Sequence, residues 1–328
     1  SSAAEPISPS GDPIFISRDR RRVHIVAYDF QADANRAKDL SRPAAHLGAE
    51  KFEEIVWQGV PLPIAWLRTS IGNLAAMVYD PAEEILGWSL NPLAGGVVES
   101  MAVTPAADGS LDVLTMIIRR TVNGVTRRFV DEQAMPFGAL ASELAASQAC
   151  HHFAALSFAP VSPIASFAVP HLIGETVWAW TSEGVIPSLT VAGDGTVTLP
   201  YAVAWAVIGL HDATHLAETL DITAQAADGS TLGRRKRLHE GGGIGVHATA
   251  QLQVQAIERD LGRPEAASPA VNLITRPVAA PGADLFSGVA PLAPPTGQAT
   301  LVAYRFIPVG GAPATLTAIV PFVQEAGK

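Results

Sequence analysis

Two histidines four apart, in His211-Asp212-Ala213-Thr214-His215, have the spacing that places both imidazoles on one face of a helix, where they could ligate zinc. The segment lacks the glutamate after the first histidine that a metalloprotease uses as base. Its surroundings also read as strand and loop, so no metal is expected there. Cys150-His151-His152 sets a thiol beside two imidazoles, yet neighbours on an extended segment point to opposite faces, and a small buried thiol is the expected role. Gly241-Gly242-Gly243-Ile244-Gly245 has neither the glycine spacing nor the strand-then-helix setting of a dinucleotide loop, and is read as a flexible turn ahead of a strand. Glu53-Glu54 and Glu83-Glu84 are adjacent pairs, which do not face each other across a substrate as glycoside hydrolysis demands, and are read as solvated surface. No G-x-S-x-G elbow, P-loop or calcium-binding EF-hand pattern is present. The reading is therefore a protein that is not an enzyme, with no cofactor and no metal.

The remaining chemistry is basic. Gly233-Arg234-Arg235-Lys236-Arg237 is read as the one dense cationic run, a candidate phosphate, channel or subunit contact. Arg119, Arg120, Arg127 and Arg128 flank Asn123-Gly124 and are candidate subunit contacts through ion pairs, with a solvated surface as the competing role. The whole chain argues against a polyanion-gathering surface: 328 residues hold 22 basic and 31 acidic side chains, a net charge of −9. A single cysteine excludes an internal disulfide and a multi-cysteine zinc site. With 48% hydrophobic and 16% charged residues, against a globular norm of about 25% charged, the chain is a packed one with a largely neutral surface. Its longest apolar stretch, Tyr201 to Leu210, is about half of the ~20 residues a membrane-spanning helix needs, so no membrane-spanning segment is expected. Ser1 to Pro13 is Ser/Pro-rich, has no signal-peptide core and lacks an initiator Met, and a truncated start is expected.

The elements that must position these residues read as strands. β-branched or alternating runs bounded by Gly, Pro, Asp and Asn recur every ~8–12 residues, the spacing of an all-β architecture. Leu111 to Val122 and Val125 to Val130 flank Asn123-Gly124, which readily takes the positive φ angles of a two-residue primed turn. Ile64 to Arg68, Ala75 to Tyr79, Glu84 to Ser89 and Val98 to Val103 read as a four-stranded meander, the makings of a propeller blade or of one sandwich sheet. Ala139 to Ala149 carries a helical turn at a domain junction. Glu175 to Trp180, Leu189 to Val191, Val197 to Leu199 and Tyr201 to Leu210 read as a second β unit. Val246 to Gln255 reads as one period-two strand with an uncharged wet face of His, Thr and Gln suited to a subunit contact. Pro264 to Pro295 reads as a linker before a closing pair, Thr300 to Phe306 and Ala314 to Phe322. The expected organisation is a β-propeller-like part over 1–150, a β-sandwich or barrel-like domain over 151–260, and a linker with carboxyl-terminal strands over 261–328 that return to the first part.

Several segments in order resemble the nozzle (tail tube) proteins of short-tailed bacteriophages. They are Val23 to Gln31 with Asp39-Leu40, Trp66-Leu67-Arg68 with Leu74 to Asp80, Ile85-Leu86-Gly87-Trp88, Gly96 to Val103, Ile117 to Val130, His171 to Val177, Gly233 to Arg237 and Leu316 to Pro321. The resemblance runs from about Arg20 to the carboxyl end. It departs at the front, where family members carry a further region ahead of Tyr28-Asp29-Phe30, which implies a fragment or a split gene. It departs again at Trp88-Ser89-Leu90-Asn91, where the family pattern has basic and aromatic residues.

The resemblance implies a virion protein made in the host cytoplasm. It would stand in six copies around the tail axis, joined to an adaptor ring and other tail proteins, and line a conduit through which DNA passes transiently during genome ejection. A closed ring needs heterologous interfaces whose rotation closes. An acidic lining repels DNA and lets it slide. Two alternatives stand beside it. A carbohydrate-binding or glycan-cleaving tail protein would show paired carboxylates ~5–10 Å apart near exposed Trp178, Trp180 or Trp205. A cellular β-propeller scaffold would be a stable monomer.

Overall fold

The structure is a computed structural model that describes residues 4–9, 11–30, 33–134, 152–222, 225–226, 229–230, 234–239, 241–260, 262–273, 285–292 and 297–325. The helical turn expected over 139–149 lies outside them. Among the described residues every regular element is an antiparallel strand, apart from 3-10 segments at Arg42–Glu50 and Pro170–Leu172. The chain is all-β, and it groups into two compact units, residues 1–133 and 134–328.

The first unit holds three sheets. β1 (Ile14–Ile16), β2 (Val23–Asp29) and β3 (Ala34–Asp39) form one, in that order. β4 (Phe52–Gln58), β5 (Ile64–Thr69), β6 (Leu74–Asp80) and β7 (Ile85–Asn91) form a four-stranded meander. β8 (Val97–Pro105), β9 (Asp112–Val122) and β10 (Val125–Glu132) form the third sheet. Ile64 to Leu67 and Leu74 to Met77 are buried on both faces, which explains why the two inner strands read as continuous apolar runs rather than as alternation. Of these, Ala65, Leu67, Ala75 and Met77 join Ile14, Val23, Ile25, Leu40, Phe52 and Ile55 in one core.

The meander has the blade-like size that the sequence suggests but different membership. Its first strand is β4, and Val98 to Val103 belongs to the neighbouring sheet, paired with β9. β4 escapes a period-two search because its register shifts between Phe52 and Glu54, a bulge that breaks the alternation. The radial repetition of blades that defines a propeller is not seen among the described residues. The Asn123-Gly124 turn is as expected: φ is 47° and 73°, and Val122 faces Val125 across the hairpin.

In the second unit β11 (Phe153–Phe158), β13 (Thr176–Thr181), β14 (Gly184–Thr190) and β16 (Ala206–Leu210) make a sheet in the order β11-β16-β13-β14, and β12 (Ile164–Ala168) pairs β15 (Thr196–Val203). The run from Tyr201 to Leu210 is thus two strands, broken at Ala204-Trp205. Short strands β17 (Ala217–Glu218), β18 (Gln225–Ala226), β19 (Gly229–Ser230) and β20 (Lys236–Leu238) lead to β21 (Gly242–Thr249) and β22 (Leu252–Arg259). β23 (Ala266–Ala267), β24 (Val271–Asn272), β25 (Phe286–Leu292), β26 (Leu301–Pro308), β27 (Thr315–Val320) and β28 (Val323–Glu325) complete the chain.

Val246 to Gln255 is therefore not one strand. The chain leaves β21, in the sheet β25-β21-β27, and enters β22, in the sheet β17-β26-β22-β23. Both strands bury even-numbered residues, Ile244 and Val246 in one and Leu252, Val254 and Ala256 in the other, so the period of two runs through the break. The buried faces of the two sheets share one core with Ala290, Leu292, Val302, Tyr304 and Phe306, which is a sandwich arrangement.

Of the glycines of 241–245 only Gly241, at φ 113°, lies in a turn ahead of the strand. Gly242 to Gly245 lie inside β21, and a Cβ on Gly242 would stand 2.7 Å from the Val320 carbonyl oxygen, so their smallness lets β27 approach. The closing strands pair with β20, β21 and β22 of their own unit, where the sequence had them returning to the first part. β26 and β27 lie in different sheets and are not a pair.

Candidate functional site

The arginine hairpin is built by β9 and β10. Alternation sends Leu114, Met116, Ile118, Arg120 and Val122 inward and Arg119 outward. Arg119 and Arg128 face each other across the ladder, and Arg120 faces Arg127. Like charges opposite one another destabilise a sheet unless something neutralises them. On the outer face Glu99 does so: Arg119 Nε donates to its Oε1 at 3.0 Å and Arg128 Nε to its Oε2 at 2.6 Å. Glu99 sits where the β8 register shifts between Val98 and Ser100, and that irregularity is what turns one carboxylate toward two arginines. The Arg128 hydrogen bond holds the Glu99 carboxyl below the usual carboxylate range. On the inner face Arg120, 2% exposed, donates to Asp131 Oδ2 at 2.6 Å with its guanidinium over the Phe129 ring. Arg127 is exposed.

The basic run is similarly tied within the chain. Lys236 is fully buried, and its ammonium donates to the Thr300 carbonyl at 2.7 Å and the Arg234 carbonyl at 3.3 Å. Arg235 donates to Asp260 and to the Gln298 carbonyl, and Arg237 to Gln324. Hydrogen bonds from the Thr300 backbone and hydroxyl keep the Asp260 carboxyl low. Nearby, Arg259 donates to Glu218, Asp221 and Glu265, while Arg305 donates to Glu218 and Glu265, so two guanidiniums hold three carboxylates across β17, β22 and β26. The glutamines of β22, expected on a wet face, find partners in the chain: Gln253 donates to Asn272 and Gln255 to the Ser268 carbonyl.

The histidines are packed groups. His211 and His215 lie in the loop after β16, where Asp212 caps the turn by accepting from Thr214. The His211 ring stands 4.5 Å from Trp178 and 6.4 Å from His152, which is 6% exposed. Gly311, at φ 72°, passes so close to the His152 ring that a Cβ there would overlap it. Burial lowers the affinity of His211 and His215 for protons. Among the described residues no three His, Cys, Asp or Glu side chains gather as a metal site. Cys150 and His151 lie outside them. Trp180 is 3% exposed against Trp205, while Trp178 and Trp205 are half-buried, Trp178 against the His211 ring.

Glu53 and Glu54 are structural too: both bind Arg68, at 3.1 and 2.9 Å, and Glu54 also accepts from the Met101 amide. One basic feature escapes a search for unbroken runs. Arg18-Asp19-Arg20-Arg21-Arg22 forms the β1–β2 turn, and its Arg18, Asp19, Arg21 and Arg22, with Arg42, line two adjoining open depressions of the first unit. Asp19 hides the run in the sequence; local arginine density would have found it. No protein-family model matches the chain, and no curated protein matches it.

Proposed function

We propose that this chain is a structural virion protein, a nozzle or tail tube subunit whose copies, six in the family it resembles, close into a ring that conducts DNA. The observation that carries the reading is the internal neutralisation of two cationic clusters, the β9–β10 hairpin and the run at 234–237. The hairpin and the basic run are two places where a phosphate backbone could be gripped. Instead Glu99, Asp131 and Asp260 take up Arg119, Arg128, Arg120 and Arg235, and Lys236 is buried. Charge is left in excess on the acidic side in both units, with 13 basic and 17 acidic residues in the first and 9 and 14 in the second. Repeated around an axis, that excess repels a polyanion, which favours passage over capture.

The fold supports the same reading. Open antiparallel sheets with a blade-sized meander in one unit and a sandwich in the other suit scaffolding; His152 and Trp180 are buried, and Glu53 and Glu54 are held in ion pairs with Arg68, while Glu83 and Glu84 are exposed. The glycan reading has less support at Trp180, which is buried against Trp205. Partners on this reading are further copies of the chain, an adaptor ring and other tail proteins, in a virion. Class-average electron microscopy of the assembled protein tests it: six-fold rings with an axial opening are expected, and isolated particles of one chain would overturn it.

A further inference from the structure

The β1–β2 turn is a cationic surface in an acidic protein. Residues 18–51 hold eight Lys or Arg against five Asp or Glu, while the chain as a whole stands at −9. Arg20 is held by Glu53 at 2.9 Å, and Arg22 only grazes Asp39 at 3.7 Å with its side chain 62% exposed. Arg18, Arg21 and Arg42 are exposed. Arg21, Arg22 and Arg42 line one depression with Asp39 and Ser41, and Arg18 joins Arg22 and His24 in the adjoining one.

The floor is fixed although the rim is exposed. Asp19 closes the turn by accepting from the Ser17 hydroxyl and the Arg21 amide, and the Arg20 carbonyl accepts from the Phe52 amide. Ser41, 2% exposed, bridges Asp39 and the Val23 amide, so Asp39 is committed to the floor. The Arg21 carbonyl passes so close to Gly48 that a Cβ would overlap it, which presses the arginine turn against the 3-10 segment carrying Arg42. Arg21, Arg22 and Arg42 thus line one depression whose backbone is tied down by these contacts. Arginine, rather than lysine, suits planar bidentate binding of oxyanions.

We infer that this depression is an oxyanion site that takes a phosphate group, supplied by free inorganic phosphate or by a nucleic-acid backbone, through Arg21, Arg22 and Arg42. The site stands on the first unit alone and does not need the ring. One or two phosphates held this way make a contact that salt weakens readily, by about 3-fold for one and about 12-fold for two between 50 and 200 mM.

The test uses the full chain with two probes, inorganic phosphate by calorimetry and a fluorescein-labelled 20-base-pair duplex by anisotropy. The wild type is expected to bind at least one probe saturably. Arg21→Gln/Arg42→Gln is expected to weaken that binding at least 10-fold, while Arg263→Gln, which removes an exposed cation of the other unit, leaves it within 2-fold. Phosphate binding with no duplex binding assigns the free anion as the source, and duplex binding with the stated salt dependence assigns the backbone. Absence of saturable binding to either probe, or equal weakening by Arg263→Gln, overturns the inference. Circular dichroism of each variant shows whether a loss reflects unfolding, and Arg42→Lys, which keeps the charge and removes the fork, is expected to recover part of the affinity.

Discussion

Arg120 and Asp131 face one another on the inner side of the β9–β10 hairpin, 2.6 Å apart from Nη1 to Oδ2, with side chains 2% and 17% exposed. Removing one partner of so enclosed a pair strands the other charge. Asp131→Ala is expected to destabilise the first unit by about 3 kcal/mol, and Arg120→Met, which replaces the charge with apolar volume, by clearly less. Urea unfolding of both variants checks the order, and equal effects would show that packing rather than charge sets the cost.

The hairpin's turn makes a second prediction. Gly124 has φ 73° and open space where a Cβ would go, so Gly124→Ala meets only the backbone penalty. A loss of about 1 kcal/mol is expected by chemical denaturation. A loss several times larger would mean that the tip is packed against something.

Lys236 combines a stem in the core with an ammonium held by the Thr300 carbonyl. Lys236→Ala is expected to cost about 3 kcal/mol from cavity and lost hydrogen bonding together, and Lys236→Met, which keeps the stem, about half of that. Thermal unfolding of the two variants reads the difference.

Burial lowers the proton affinity of His211 and His215 below the ordinary histidine value of about 6.5. The folded protein then binds fewer protons than the unfolded chain once the pH drops below that value. Their contribution is complete above about pH 6.5 and is lost as the pH falls toward the folded values. The melting temperature should decline on acidification in this window, ahead of the carboxylate-driven loss at lower pH from groups such as Asp39 and Glu265. His211→Phe should flatten the first decline, and an unchanged profile would contradict the assignment.

Legibility in the sequence followed how local each signal was. Asn123-Gly124 dictates its own turn, so the hairpin was readable to the residue. Inner strands such as Ile64 to Leu67 were readable from apolar content. β4 was not, because its bulge aims Glu53 and Glu54 to one side and erases the alternation. The switch of sheets after Thr249 was invisible because both flanking strands keep the same parity. Which sheet a strand joins depends on partners far along the chain, and so the closing strands were assigned to the wrong unit. The arginines at 119, 120, 127 and 128 were legible as a cluster, but the carboxylate that answers two of them, Glu99, lies on β8, one strand from Arg119 and two from Arg128. The Arg18 to Arg22 turn was passed over because Asp19 interrupts it, although Asp19 is what folds it.

The proposed ring requires that acidic, strand-built copies of this chain assemble side by side around an axis. Native mass spectrometry of the full protein tests it most directly. A closed species at six times the 34.2 kDa chain mass that persists on dilution is expected. A species of 34.2 kDa alone, across the concentration range and with partner tail proteins added, would contradict it.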